Sequence, residues 1–140
     1  MVKLPSNSCE LKNLFINAAI PDMEALPGEY RVDMLFPWPS LRRLSHRKVI
    51  YRERGGLAGH NVLMNRAWGY FAIEEGSCAD INRGRAAVIT YDRPENSFFL
   101  KGLRDFLRCL DKDHLYLGRF YYEIGTRKVF LGYFSLENVA

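Results

Sequence analysis

The chain has 140 residues, 48% hydrophobic and 26% charged, a composition that fits one globular domain and excludes a disordered chain. Twenty basic residues against 16 acidic ones leave a net charge of +4, which favours nearby anions but is too mild to demand nucleic acid. No run approaches the roughly 18 apolar residues of a membrane span, and the first thirty residues lack the apolar stretch of a signal peptide, so a soluble cytoplasmic protein is expected.

Ser8 stands as N-cap of a short helix over 8–18, where Leu11, Leu14, Phe15 and Ala18 recur at helical spacing. Pro21 opens a second helical turn, which Pro27-Gly28 ends. From Gly28 the period becomes two. Tyr30, Val32, Met34 and Phe36 alternate with Glu29, Arg31, Asp33 and Leu35, the pattern of a strand with one dry face, stopped by Pro37 and Pro39. Further strands are predicted over 47–53, 60–64, 67–74 and 85–91, with turns at Gly55-Gly56, Gly76-Ser77 and 80–84 and a loop over 92–96. Over 97–110 periodicity alone predicts helix, because Phe99, Leu100, Leu103, Phe106, Leu107 and Leu110 share one face. Strand is the alternative there, since a barrel needs a partner for the strand that follows.

Residues 115–124 and 127–136 flank Gly125-Thr126, a two-residue hairpin turn. That register sets Ile124 opposite Arg127, Glu123 opposite Lys128, Tyr121 opposite Phe130, Arg119 opposite Gly132 and Leu117 opposite Phe134. Gly118 and Gly132 mark places where a strand coils or a ring packs over bare backbone. Strands at intervals of about 8 to 12 residues belong to a sandwich or barrel rather than to βαβ units.

The chemistry-bearing residues are sparse. Cys9, Cys78 and Cys109 lie far apart without CxxC or Cys–His spacing, and the three histidines form no HxH or HExxH, so reduced thiols, no cofactor and no metal site are expected. His46 and His114 read as surface residues and Trp68 as core. Trp38, between two prolines at the end of the first strand, is placed to lean over a cavity mouth. Arg42, Arg43, Arg47, Lys48, Arg52 and Arg54 form either a solvated basic loop or a rim that meets an anionic head group. His60 and Asn61 follow a glycine-rich turn and are candidate ligand contacts. Asp105 and Arg108 pair on one face if their segment is helical and point apart if it is a strand. Tyr121 is one of several amphipathic rings suited to a pocket.

A helical turn leading into Gly28-Glu29-Tyr30-Arg31-Val32 resembles the start of a lipocalin or other calycin barrel, with Tyr30 where that pattern has Trp. The resemblance implies a short N-terminal segment, 1–27, closing the floor of a barrel formed by 28–140, within one domain. It also implies an arginine late in the chain packed across Tyr30, for which Arg119 is the candidate and Arg127 the second. Leu26-x-Gly28-x-Tyr30, Gly55-Gly56 with Gly59-x-Asn61, Gly102-Leu103-Arg104-Asp105 with Arg108, and Leu115-Tyr116-Leu117-Gly118-Arg119 are similar to a set of uncharacterised bacterial lipocalin-like proteins, which carry no assigned activity.

The expected fold is therefore mainly β, an antiparallel up-and-down barrel of about eight strands with a short N-terminal helical segment. Its expected function is binding a small, mostly hydrophobic or amphipathic molecule, with or without an anionic head, at Tyr30, Trp38, Arg42, Arg43, His60, Asn61, Asp105, Arg108, Arg119 and Tyr121. Two alternatives stand beside it. One is an enzyme acting in the same cavity through Arg119, Asp105 and tyrosine hydroxyls; the other is a nucleic-acid-binding barrel using the basic cluster.

Overall fold

The computed structural model describes residues 4–38, 45–78 and 84–139. Arg42, Arg43 and nearly all of the turn expected at 80–84 lie outside them. Eight antiparallel strands run β1 (Gly28–Phe36), β2 (His46–Glu53), β3 (Gly56–Leu63), β4 (Arg66–Ser77), β5 (Arg85–Thr90), β6 (Leu103–Asp111), β7 (Leu115–Ile124) and β8 (Arg127–Asn138). Each pairs with the next and β8 returns to β1, closing the expected up-and-down barrel.

The pleat sorts side chains into two clusters. Tyr30, Val32, Ile50, Phe71, Ile73, Ile89, Leu107, Tyr116, Phe134 and Leu136 form the buried cluster that faces the lumen. Phe106, Leu117, Tyr121 and Tyr133, one residue out of phase with lumen neighbours on the same strands, pack on the outer wall. Helix α1 (Ser8–Asn17) covers that outer patch with its buried Leu11 and Phe15. Its N-cap is Asn7, one residue before the expected Ser8, and the Asn7 side chain accepts the Glu10 amide at 2.8 Å. The chain then returns through a 3-10 turn, Met23–Ala25, and Leu26 is fully buried in the lumen cluster, with Met23 packed against it. Tyr30 donates its hydroxyl to the Leu26 carbonyl at 2.7 Å. The N-terminal segment thus does two things: α1 lies against the wall, and Leu26 plugs the end where β1 begins.

Two predictions from local pattern need correction. Residues 103–111 are strand, preceded by a 3-10 turn at Phe98–Leu100, and not the helix that periodicity favoured. On β6, Asp105 and Leu107 point inward, while Phe106 and Arg108 are buried on the outer side among α1 and its neighbours. A strand covered on both faces loses its apolar–polar alternation, so it imitates a helical face. In the β7–β8 hairpin, Ile124↔Arg127, Glu123↔Lys128 and Tyr121↔Phe130 pair as expected around Gly125, whose φ is +60°. A bulge between Phe120 and Tyr121 then shifts the register by one, giving Phe120↔Gly132, Arg119↔Tyr133 and Leu117↔Ser135. The Phe36 carbonyl lies where a Cβ on residue 132 would go, so only glycine fits there.

Candidate functional site

The lumen carries one polar layer. On β2 the inward phase is His46, Lys48 and Ile50, so the pleat buries a lysine while its neighbour Arg47 faces out and pairs with Glu29. Arg52 continues the inward phase but lies at the exposed end of the strand, where it pairs with Glu24. Asn61 enters from β3 beside a bulge in β4, where the register steps from Gly59↔Phe71 to Asn61↔Trp68. Gly69 in that bulge has φ +59°, a left-handed conformation, and its carbonyl accepts the Asn61 amide at 3.0 Å. Tyr91 follows β5 and is fixed by buried Asn96. The Asn96 amide donates to the carbonyls of Tyr91 and Tyr70, both at 2.6 Å, while its oxygen accepts the Tyr70 N–H at 2.8 Å. Asp105 enters from β6.

These side chains form one connected network. The Lys48 ammonium donates to Asn61 Oδ1 at 2.7 Å and to the Tyr91 hydroxyl at 2.6 Å. Tyr91 in turn donates to Asp105 Oδ2 at 2.8 Å. Asn61 Oδ1 lies 3.0 Å from His46 Nε2, and because the Asn61 amide nitrogen is spent on Gly69, the imidazole Nε2 must be the donor. Lys48 is 3.6 Å from Asp105 Oδ2, a longer contact than Tyr91 makes to the same oxygen. The rings of Phe71, Tyr91 and Phe134 surround the ammonium at 5.2, 5.3 and 5.6 Å from their centroids. Phe71 lies over Gly59 and Phe134 over Gly118, each its cross-strand partner, so both rings lie along the wall. The prediction of a ring over bare backbone at Gly118 is met.

Burial sets the electrostatics. Desolvation pushes the Lys48 pKa down and that of Asp105 up, and each opposes the other's shift through their mutual attraction. Burial and the Asp105 charge push the Tyr91 phenol up, which keeps it a donor. Burial, and then the Lys48 charge, lowers the His46 imidazole. Half-buried Trp68 stands beside His46 with ring centroids 5.7 Å apart. Its indole N–H is shielded from solvent and has no acceptor among the described residues.

The sequence-predicted site residues divide between two faces of the wall. Tyr30, Asn61 and Asp105 are in the lumen. Tyr30 packs edge-to-face on Tyr116 there. Arg119 lies on the outer face instead, donating to the hydroxyls of Tyr121 and Tyr133 and stacked over Phe130, so it does not cover Tyr30. Tyr121 belongs to that outer cluster. Arg108 is also outside, donating to the Phe15 and Ile16 carbonyls at 3.0 Å each and to the Arg85 carbonyl at 3.1 Å. Asp105 and Arg108 therefore point apart, as the strand alternative required. His60 faces outward between Tyr51 and Tyr70. Trp38 is exposed just beyond β1.

Sequence reasoning places Lys48 in the basic cluster and His46 on the surface, and counts Tyr91 only among several rings suited to a pocket. A signal was present for Lys48, which stands in phase with Ile50 on a predicted strand. Among the described residues, no group of three or more His, Cys, Asp or Glu side chains is arranged to hold a metal ion, and no helix is long and apolar enough to cross a membrane.

No protein-family model and no curated protein matches the chain. Its fold is similar to the crystal structure of a protein from Thermomonospora curvata, with a TM-score of 0.64 over 97% of this chain and 90% of that one. At 14% identity the likeness is one of fold alone.

Proposed function

We propose that this barrel is lipocalin-like in use as well as in shape, and holds a small, mostly hydrophobic molecule with its acidic end turned toward Lys48. The observation that carries the reading is the buried Lys48 ammonium, ringed by Phe71, Tyr91 and Phe134 in a lumen where Asn61, Tyr91 and Asp105 belong to its own network. A buried charge is retained only against a large desolvation penalty, and charge-assisted hydrogen bonding to an acid is a use that repays it. A further feature supports an incoming acceptor: the Trp68 indole N–H stands shielded without a partner among the described residues. The Leu26 plug directs the apolar body to enter from the other end.

The test is a fluorescence titration with a medium-chain fatty acid and its methyl ester. The acid binds the unaltered protein about tenfold more tightly than the ester, the worth of one charge-assisted hydrogen bond. The paired variant Lys48→Gln/Asp105→Asn, which keeps hydrogen-bonding groups and removes both charges, reduces the acid to the affinity of the ester. Equal affinities in the unaltered protein would refute the role of Lys48, and binding of neither would refute the ligand class.

A further inference from the structure

The two ends of the barrel are built from different residues. In an up-and-down barrel the connections alternate between ends, so the β2–β3, β4–β5 and β6–β7 connections and the end of β8 share one end with the Leu26 plug. The β2–β3 and β6–β7 turns read Glu53-Arg54-Gly55-Gly56 and Asp111-Lys112-Asp113-His114, without a large apolar residue, and Val139, bonded to the Glu29 carbonyl there, is 40% exposed. The connections after β1, β3, β5 and β7 share the opposite end. There Trp38, Met64, Phe98, Phe99 and Ile124, spread over four connections, are between 60% and 82% exposed. Phe98 and Phe99 stack edge-to-face on each other in the 3-10 turn and are otherwise open to solvent. Surfaces rarely gather large apolar groups this way without a use for them.

The charges beside these tips lean basic. Glu95 is engaged by Arg93 and Glu123 by Arg104, while exposed Asp92 forms no ion pair among the described residues. Arg66, Lys101, Arg127 and Lys128 flank Met64, Phe99 and Ile124 in the chain, and none of the four forms an ion pair among the described residues. Separate apolar tips on a ring of turns, interleaved with unmatched cations, suit an anionic lipid interface, where each side chain inserts singly among headgroups and the cations meet lipid phosphate. A protein partner would be better met by one continuous apolar patch. We propose that this end of the barrel docks on an anionic membrane surface through Trp38, Met64, Phe98, Phe99 and Ile124. The proposal stands independently of what the lumen holds.

The test is flotation with phosphatidylcholine vesicles, with and without about one third phosphatidylglycerol, at low and high salt. The protein floats with the anionic vesicles and releases from them at high salt. The Trp38 emission moves to shorter wavelength on binding, and Trp38→Phe abolishes that shift. Phe98→Ser/Phe99→Ser, at exposed positions, keeps the melting temperature and weakens vesicle binding about tenfold. Three results would overturn the proposal. One is absence of flotation. Another is salt-sensitive flotation that Phe98→Ser/Phe99→Ser leaves unchanged, which reports general basicity only. The third is a dimer in sedimentation velocity that the same variant dissociates, which assigns the rim to a second copy of the chain.

Discussion

Lys48 and Arg108 are both buried cations on the barrel wall, and the wall satisfies them in opposite ways. Lys48, inside, shares a hydrogen-bond network with a carboxylate and is ringed by aromatic faces. Arg108, outside, spends its guanidinium on three backbone carbonyls, two of them in the last turn of α1, and stacks over Phe15 at 5.0 Å. A helix C-terminus presents unmatched carbonyls and partial negative charge, so a fork of N–H donors fits it without any anion. Arg119 is a second outer case, held by the Tyr121 and Tyr133 hydroxyls and by ring faces. An ammonium is a compact point charge with less reach, and burial obliges it to keep an anion close. Arg108 fastens α1 to the wall; the inner lysine leaves charge in a lumen.

The comparison breaks most visibly at Lys48. Lys48→Met strands the Asp105 carboxylate and should lower stability by about 3–5 kcal/mol in urea denaturation, while Lys48→Met/Asp105→Leu should recover most of that loss. A double variant as unstable as the single would show that the hydrogen bonds, rather than the charges, hold the layer together. Tyr30→Ala should cost about 3–5 kcal/mol as a large aromatic truncation in a core. Because Tyr30 and Arg119 occupy opposite faces, adding Arg119→Ala should be additive within about 0.5 kcal/mol. Strong non-additivity would place the two side chains in contact through the wall.

Arg108→Met should lower stability by about 1–3 kcal/mol, the loss of hydrogen bonds from one charged group. Its distinctive mark is local. Amide exchange in α1 should accelerate while lumen binding of a fatty acid stays unchanged.

The smallest effect concerns acid. His46 is held below its ordinary 6.5 by burial and by Lys48, so on acidification the unfolded chain takes up this proton before the folded one does. Stability from a neutral His46 is complete above that value and is lost as the pH falls below it. Urea midpoints on either side of it should differ less in His46→Gln than in the unaltered protein. An unchanged difference would show that His46 does not titrate in this window.

Tyr30 was legible beforehand from strict local alternation. Asn61 and Asp105 were singled out from their motifs, but their partners were not, because a hydrogen-bonded network joins residues as distant as Lys48 and Asp105. Lys48 was grouped with a basic loop on the strength of neighbouring arginines, although its phase with Ile50 was the better guide. His46 was taken for a surface residue because its shielding comes from Trp68 and Asn61 on other strands. Arg108 and Arg119 were grouped with the cavity residues, but α1 receives Arg108 on the outer wall and Tyr121, Tyr133 and Phe130 receive Arg119 there.

The chain by itself determined the period-two β1, the turn at Gly125, the pairing at the hairpin tip and the mainly β class, because pleat and turn chemistry act between residues close in sequence. Tertiary structure alone decided that 103–111 is strand, that a bulge resets the hairpin below Tyr121, and which cations are inside. Those outcomes depend on what covers each face, and the covering groups come from far along the chain: the Arg108 guanidinium meets the Phe15 carbonyl across 93 residues.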